Sequence, residues 1–165
     1  MKPFKLITFL YEQFVDINEK VPRINHGGCG VFAEKLYMVL CNLGLTPKLI
    51  VITDNRKGMN ERVKGEDNWS DKFGYASITH IVVKIGKHYV DSTGIYSSVK
   101  YVCEHHAYRI SIREVSTTLT IDTLKDWNNN PYIWNDSFNR RHIKTIENKL
   151  EKVCNMAKKN LVVTK

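Results

Sequence analysis

Cys29 stands among glycines, in the run Asn25-His26-Gly27-Gly28-Cys29-Gly30, and a helical pattern begins directly after it. A thiol acts as a nucleophile when it is a thiolate, exposed, and next to a base. Gly27, Gly28 and Gly30 let the backbone turn tightly and let a substrate carbonyl approach closely. A helix opening at about Val31 sets Cys29 at or beside its N-terminus. There the unsatisfied N–H groups and the helix dipole favour a negative sulfur. The same N–H groups suit a developing oxyanion, with Asn25 or His26 as an added donor.

A base for this thiol is predicted from a hairpin. Ile78 to Ile85 and His88 to Asp91 are β-rich runs separated by Gly86-Lys87, the signature of a two-residue turn. That loop sets Ile85 opposite His88 and, counting outward, Val82 opposite Asp91. Side chains alternate faces, so His80, Val82 and Asp91 share one face, with Asp91 diagonal to His80. Diagonal neighbours lie roughly 7–8 Å apart at the backbone, within side-chain reach. An aspartate so placed fixes the imidazole tautomer and stabilises the imidazolium. His88 falls on the other face and is a poor candidate.

The elements that position these residues follow from periodicity. Phe4, Ile7, Leu10, Tyr11, Phe14, Val15 and Ile17 predict an amphipathic helix from about Pro3 to Asn18. Phe32, Ala33, Leu36, Tyr37, Val39, Leu40 and Leu43 predict a second helix, with Gly44 just past its end. Leu49 to Ile52 reads as a buried strand. Residues 54–75 form a long polar connection of the kind that carries specificity, and Gly28, Trp69 and Tyr75 are candidates to line the substrate. Two or three strands are expected between Val99 and Ile121, a capped turn at Asp122 or Thr123, and a loop from Trp127 to Pro131. Ile143, Ile146, Leu150, Val153 and Ala157 stripe a basic C-terminal helix at about 137–160. Helix, loop, helix, strands and a last helix make the class α+β, in one domain over residues 1–165.

Gly27-Gly28-Cys29-Gly30-Val31-Phe32-Ala33 opening a helix, then His80-Ile81-Val82-Val83 and Tyr89-Val90-Asp91, resembles the core of the papain-like, transglutaminase-like superfamily. The resemblance covers roughly Asn25 to Tyr96. It implies N-terminal helices packed on an antiparallel sheet, with Cys29 as nucleophile, His80 as base and Asp91 as orienting acid. It also implies attack on an amide or acyl group through a thioester, with a peptide, protein or small acyl substrate. No Trp comes directly after Cys29, no Gln stands several residues before it, and Gly-Gly-x-Cys is shortened to Gly-Gly-Cys.

Composition bounds the alternatives. The 165 residues carry a net charge of +8, a surplus of Lys and Arg that favours acidic partners. Arg140, Arg141, Lys144, Lys149 and Lys152 are candidates to contact nucleic acid or an acidic protein, the alternative function being a basic binding protein on a catalytically inactive papain-like fold. A member that keeps the fold and has lost catalysis is the third reading. Cys29, Cys41, Cys103 and Cys154 are scattered, so no disulfide framework is expected. Cys103-Glu104-His105-His106 is too compressed for standard zinc spacing, so neither metal nor other cofactor is expected. The N-terminus lacks a small-x-small cleavage site and no long apolar run exists, which predicts no membrane span and a cytoplasmic location. Small size and abundant Asn and Lys fit a bacterial or phage protein, which in the latter case would act in the host cytoplasm.

Overall fold

Leu6, Leu10, Phe14 and Ile17 are spaced by four, four and three residues, and all four are buried along one side of the first helix. This helix, α1, spans Pro3–Lys20 in a computed structural model that describes residues 3–22, 24, 27–54, 78–106, 112–115, 119–129 and 140–162. Tyr11 and Val15, expected on the apolar stripe, face outward instead. They lie one position past Leu10 and Phe14, which turns them away from the core. The second helix, α2, spans Cys29–Asn42 and so begins two residues earlier than its apolar pattern suggests. The Gly44 N–H donates to the Cys41 carbonyl just past its end. Phe14 of α1 meets Phe32 of α2 edge to face, with ring centroids 5.4 Å apart. Such pairs add about 0.5–1.5 kcal/mol beyond burial alone.

The strands are β1 (Lys48–Asp54), β2 (Ile78–Ile85), β3 (His88–Val90), β4 (Ile95–Tyr96) and β5 (Ile112–Val115). They form an antiparallel sheet in the order β4-β3-β2-β1-β5. The β2–β3 hairpin has the register expected from sequence, Ile85 with His88, Lys84 with Tyr89 and Val83 with Val90. Gly86 occupies φ +57° in its two-residue loop, a conformation that L side chains rarely adopt. Between β1 and β2 the register slips once: Ile52 pairs with His80, but Thr53 pairs with Ile78. The resulting bulge lies immediately beside His80, where such features re-aim side chains.

Of the two or three strands expected between Val99 and Ile121, the described residues hold one, β5, and the stretch begins instead with a helix, α3, over Val99–His105. Ser98 caps it, its hydroxyl accepting from the Tyr101 N–H, and Val99, Val102 and Cys103 are buried at helical spacing. Residues Trp127 to Asn129, expected as loop, complete a further helix, α4 (Ile121–Asn129). Its start is held by the Thr120 hydroxyl, which accepts from the Thr123 N–H, and Leu124 and Trp127 are buried one turn apart. A short 3-10 turn at Arg140–His142 leads into the last helix, α5 (Ile143–Val162). Ile146, Leu150, Val153 and Ala157 of the expected stripe are buried, and Ile143 is partly so.

The sheet is covered on both faces. Leu49, Val51, Ile81, Val83, Ile85 and Val90 meet the apolar sides of α1, α2, α4 and α5 in the larger core. Ile50, Ile52, Val82 and Tyr89 on the opposite face meet Val99, Val102 and Cys103 of α3. The architecture is mixed α+β, and its antiparallel sheet with helices from both ends of the chain agrees with the class expected. No helix among the described residues is long and apolar enough to cross a membrane.

Candidate active site

His80 lies on the strand face that also carries Val82, and beneath α3 it is fully buried. Asp91 follows directly after the end of β3 and is 1% exposed. The two side chains meet: His80 Nε2 lies 3.0 Å from Asp91 Oδ2. The face-sharing deduced from the hairpin is therefore what the structure displays. His88, half-buried at the start of β3, lies outside the cluster.

Asp91 is gripped at both oxygens. Oδ1 accepts from the Thr93 N–H at 2.8 Å, the Thr93 hydroxyl at 2.6 Å and the Gly94 N–H at 3.0 Å. The Asp91 N–H in turn donates to the Gly94 carbonyl, closing the turn between β3 and β4. This is the pattern expected of an aspartate that opens a tight turn. Oδ2 faces two imidazoles, His80 and also His106, whose Nε2 lies 2.8 Å away. Behind them the Tyr96 hydroxyl lies 2.8 Å from the Thr93 hydroxyl. Asn18 of α1 donates from Nδ2 to the Ser92 carbonyl, tying the first helix to the same turn.

The charges follow from these contacts. Burial alone favours the neutral acid at Asp91, but hydrogen bonds from His106, His80 and Thr93 overcome it and hold the carboxyl well below its usual range. Burial likewise pulls His80 down, yet the Asp91 carboxylate and then the Cys29 thiol push it up to about 9. Burial pushes Tyr96 up to about 12, so its phenol remains neutral. The centre of the site is thus an ionised carboxylate facing a histidine that holds its proton at neutral pH.

Cys29, in the first turn of α2, lies close enough to His80 to raise its proton affinity. Gly27, at φ +102°, turns the chain into Gly28, the residue that precedes the helix. Gly28 carries no side chain to cap the first-turn N–H groups. The thiol was expected to be exposed and is 6% so, a correction that follows from its place inside the packed first turn of α2. Asn128 of α4 secures that turn, donating from Nδ2 to the Gly30 carbonyl at 3.2 Å and to Glu34 Oε2 at 2.6 Å. Lys35 then joins Glu34 to Glu147 of α5.

The residues expected from sequence thus divide. Cys29, His80 and Asp91 are brought together, and Gly28 adjoins them. Asn25, His26, Trp69 and Tyr75 lie outside the described residues. Of the basic set, Arg141, Lys144 and Lys152 are exposed on the 3-10 turn and α5, while Lys149 forms an ion pair with Asp16 of α1. Arg140 opens the 3-10 turn.

His106 was missed as a partner of Asp91. It was visible only within Cys103-Glu104-His105-His106, dismissed for zinc on its spacing. His80 Nε2, His106 Nε2 and Asp91 Oδ2 lie within 4.8 Å of one another, a set with the composition of a two-histidine, one-carboxylate cation site. Both nitrogens, however, approach one oxygen at hydrogen-bond lengths, and three donors at Oδ1 oppose its retreat. Those contacts describe a carboxylate accepting from two imidazoles. No family model, curated protein or solved structure matches the chain.

Proposed function

We propose that the chain is a cysteine-nucleophile hydrolase or acyl transferase on a papain-like, transglutaminase-like core, acting on an amide, peptide or acyl group. The observation that carries this reading is the buried 3.0 Å contact between His80 Nε2 and Asp91 Oδ2, on an imidazole that Cys29 also reaches. Cysteine at a helix start, with histidine and aspartate from a hairpin, supplies a nucleophile, a proton carrier and an orienting charge.

In the proposed reaction the Cys29 thiol has already given its proton to His80, and the sulfur attacks the substrate carbonyl carbon. The oxygen that gains negative charge faces the first-turn N–H groups of α2. As the carbon–nitrogen or carbon–oxygen bond breaks, His80 returns the proton to the leaving group, and a thioester remains on Cys29. Water then attacks the thioester while His80 takes its proton, releasing an acid and returning Cys29 and His80 to their starting state. An amine in place of water yields the transferred amide. Asp91, hydrogen-bonded throughout, keeps the imidazole oriented and its proton held.

Alkylation by iodoacetamide, read site by site by mass spectrometry, tests this reading. Cys29, although buried, is expected to react faster than the exposed Cys41 and the buried Cys103 and Cys154. His80→Ala is expected to remove that advantage. Equal, slow labelling of all four thiols would sink the proposal. Once a substrate is in hand, turnover should fall as pH rises through about 9, where His80 gives up the proton it must deliver.

A further inference from the structure

A triad needs one histidine on its aspartate, and here there are two. His106 ends α3, its backbone N–H donating to the Val102 carbonyl, and its side chain is 10% exposed. Its ring lies tilted against that of His80, with centroids 4.7 Å apart, and the ring of His105 meets it edge-on. His105 packs in turn against Tyr96. The adjacent histidines of Cys103-Glu104-His105-His106 therefore divide the work: one braces, the other reaches Asp91 Oδ2 at 2.8 Å.

Orientation of the carboxylate does not require His106. Three donors already hold Oδ1, which fixes the plane of the group. What His106 changes is the share of Oδ2 left to His80. A carboxylate oxygen divides its negative charge among the donors it accepts, and a second donor weakens its hold on the first. The groups around His80 are Cys29 from α2, Asp91 beyond β3 and His106 from α3, with the apolar Ile52 paired to it on β1. Lys84, further along the same face of β2, donates to the Tyr89 hydroxyl instead.

We infer that His106 is a positioning residue that acts through Asp91, setting how tightly the carboxylate holds the proton on His80. The inference rests on the cysteine-nucleophile reading for its purpose, but its physical content does not depend on Cys29 reacting. Without the His106 donor, the charge of Oδ2 falls on His80 alone. The imidazole then keeps its proton to higher pH, and less of it is in the neutral form that can take the proton of the attacking water.

The test is an NMR titration of the His80 ring in the full chain. In the wild type the midpoint is expected near 9. In His106→Phe, which keeps a ring and removes the donor, it should rise by about one pH unit, the size of effect a charge-assisted hydrogen bond carries. His106→Gln restores an N–H donor at similar reach and should bring the midpoint back. A packing role alone would leave the midpoint unmoved, or would fail to distinguish Phe from Gln, and either result would overturn the inference.

If the Phe variant does not fold, the wild type still decides. Two ring N–H protons, one on each Nε2, must both appear in the hydrogen-bonded region of the spectrum. Absence of the His106 proton would overturn the proposal. So would one equivalent of Zn2+ held by the wild type and lost in His106→Gln, since that nitrogen would then be a metal ligand. A midpoint that moves as expected in a protein whose Cys29 labels no faster than Cys41 would support the tuning by His106 and sink only the enzymatic reading.

Discussion

Two aspartates in this molecule are each held by a pair of nitrogen groups, and they lie in different worlds. Asp16 on α1 meets Lys20 one turn along the same helix and Lys149 on α5. Asp91 meets His80 and His106. The Asp16 side chain is 29% exposed, and its partners are lysines on long flexible stems; Asp91 is 1% exposed between two rings held by packing. Both carboxyls are held below their usual range by these partners. The consequences differ. Near solvent, the attraction is screened and offset by the entropy of ordering two lysine chains, so the pair clips α1 to α5 and does little else. In the interior the same attraction governs where a proton resides, which is the raw material of catalysis.

The largest effect that would sharpen this contrast is loss of the buried partner. Asp91→Ala leaves two interior histidines without their acceptor and is expected to cost about 3–5 kcal/mol in denaturant unfolding. If the variant melts like the wild type, the buried network is not what holds the turn and α3 together.

Next in size is the dependence of stability on pH. Asp91 is depressed in the fold, so its contribution is present above roughly pH 4 and lost as pH falls. His80 is raised, so its contribution is full below roughly pH 6.5 and fades as pH rises through about 9. Stability should therefore be highest between these limits and fall on both sides. Asp91→Asn should flatten both slopes, because its carboxylate takes part in both, and urea midpoints across the range would reveal it. Slopes that persist in that variant would assign the pH dependence to other groups.

Salt separates the two aspartates further. At 1 M the screening length is about 3 Å, which weakens the Asp16 contacts and leaves the interior pair nearly untouched. The acid-side slope due to Asp91 should survive high salt. The smallest effect belongs to Asp16→Asn, whose melting temperature is expected to match the wild type within error. A clear drop would show that the clip between α1 and α5 matters more than its exposure implies.

The legible and illegible parts of this site follow the range of the interactions that built them. The relation of His80 to Asp91 was readable because a two-residue loop at Gly86-Lys87 sets the register and a strand has a period of two. Cys29 at a helix start was readable from the glycines before it and the apolar pattern after it, although the helix begins at the cysteine itself. His106 was not readable, because its approach to Asp91 depends on how α3 lies over the sheet. The β-branched Val99 and Val102 favour a strand locally, yet the burial of Val99, Val102 and Cys103 at helical spacing makes α3. The asparagines of Trp127-Asn128-Asn129 suggested a loop, yet Trp127 is core and Asn128 turns inward to hold Gly30 and Glu34. Tertiary partners override local preference at both places.

The acid–base apparatus lies entirely within one stretch, from His80 to His106, whereas the thiol comes from much nearer the N-terminus. A chain made from its N-terminus therefore exposes Cys29 well before the hairpin that holds His80 exists. Hairpin and following helix close over short loops, and local closures are the quick ones. The nascent sulfur accordingly spends synthesis as an ordinary cysteine. It meets His80 only once the hairpin has been made and has packed against α2.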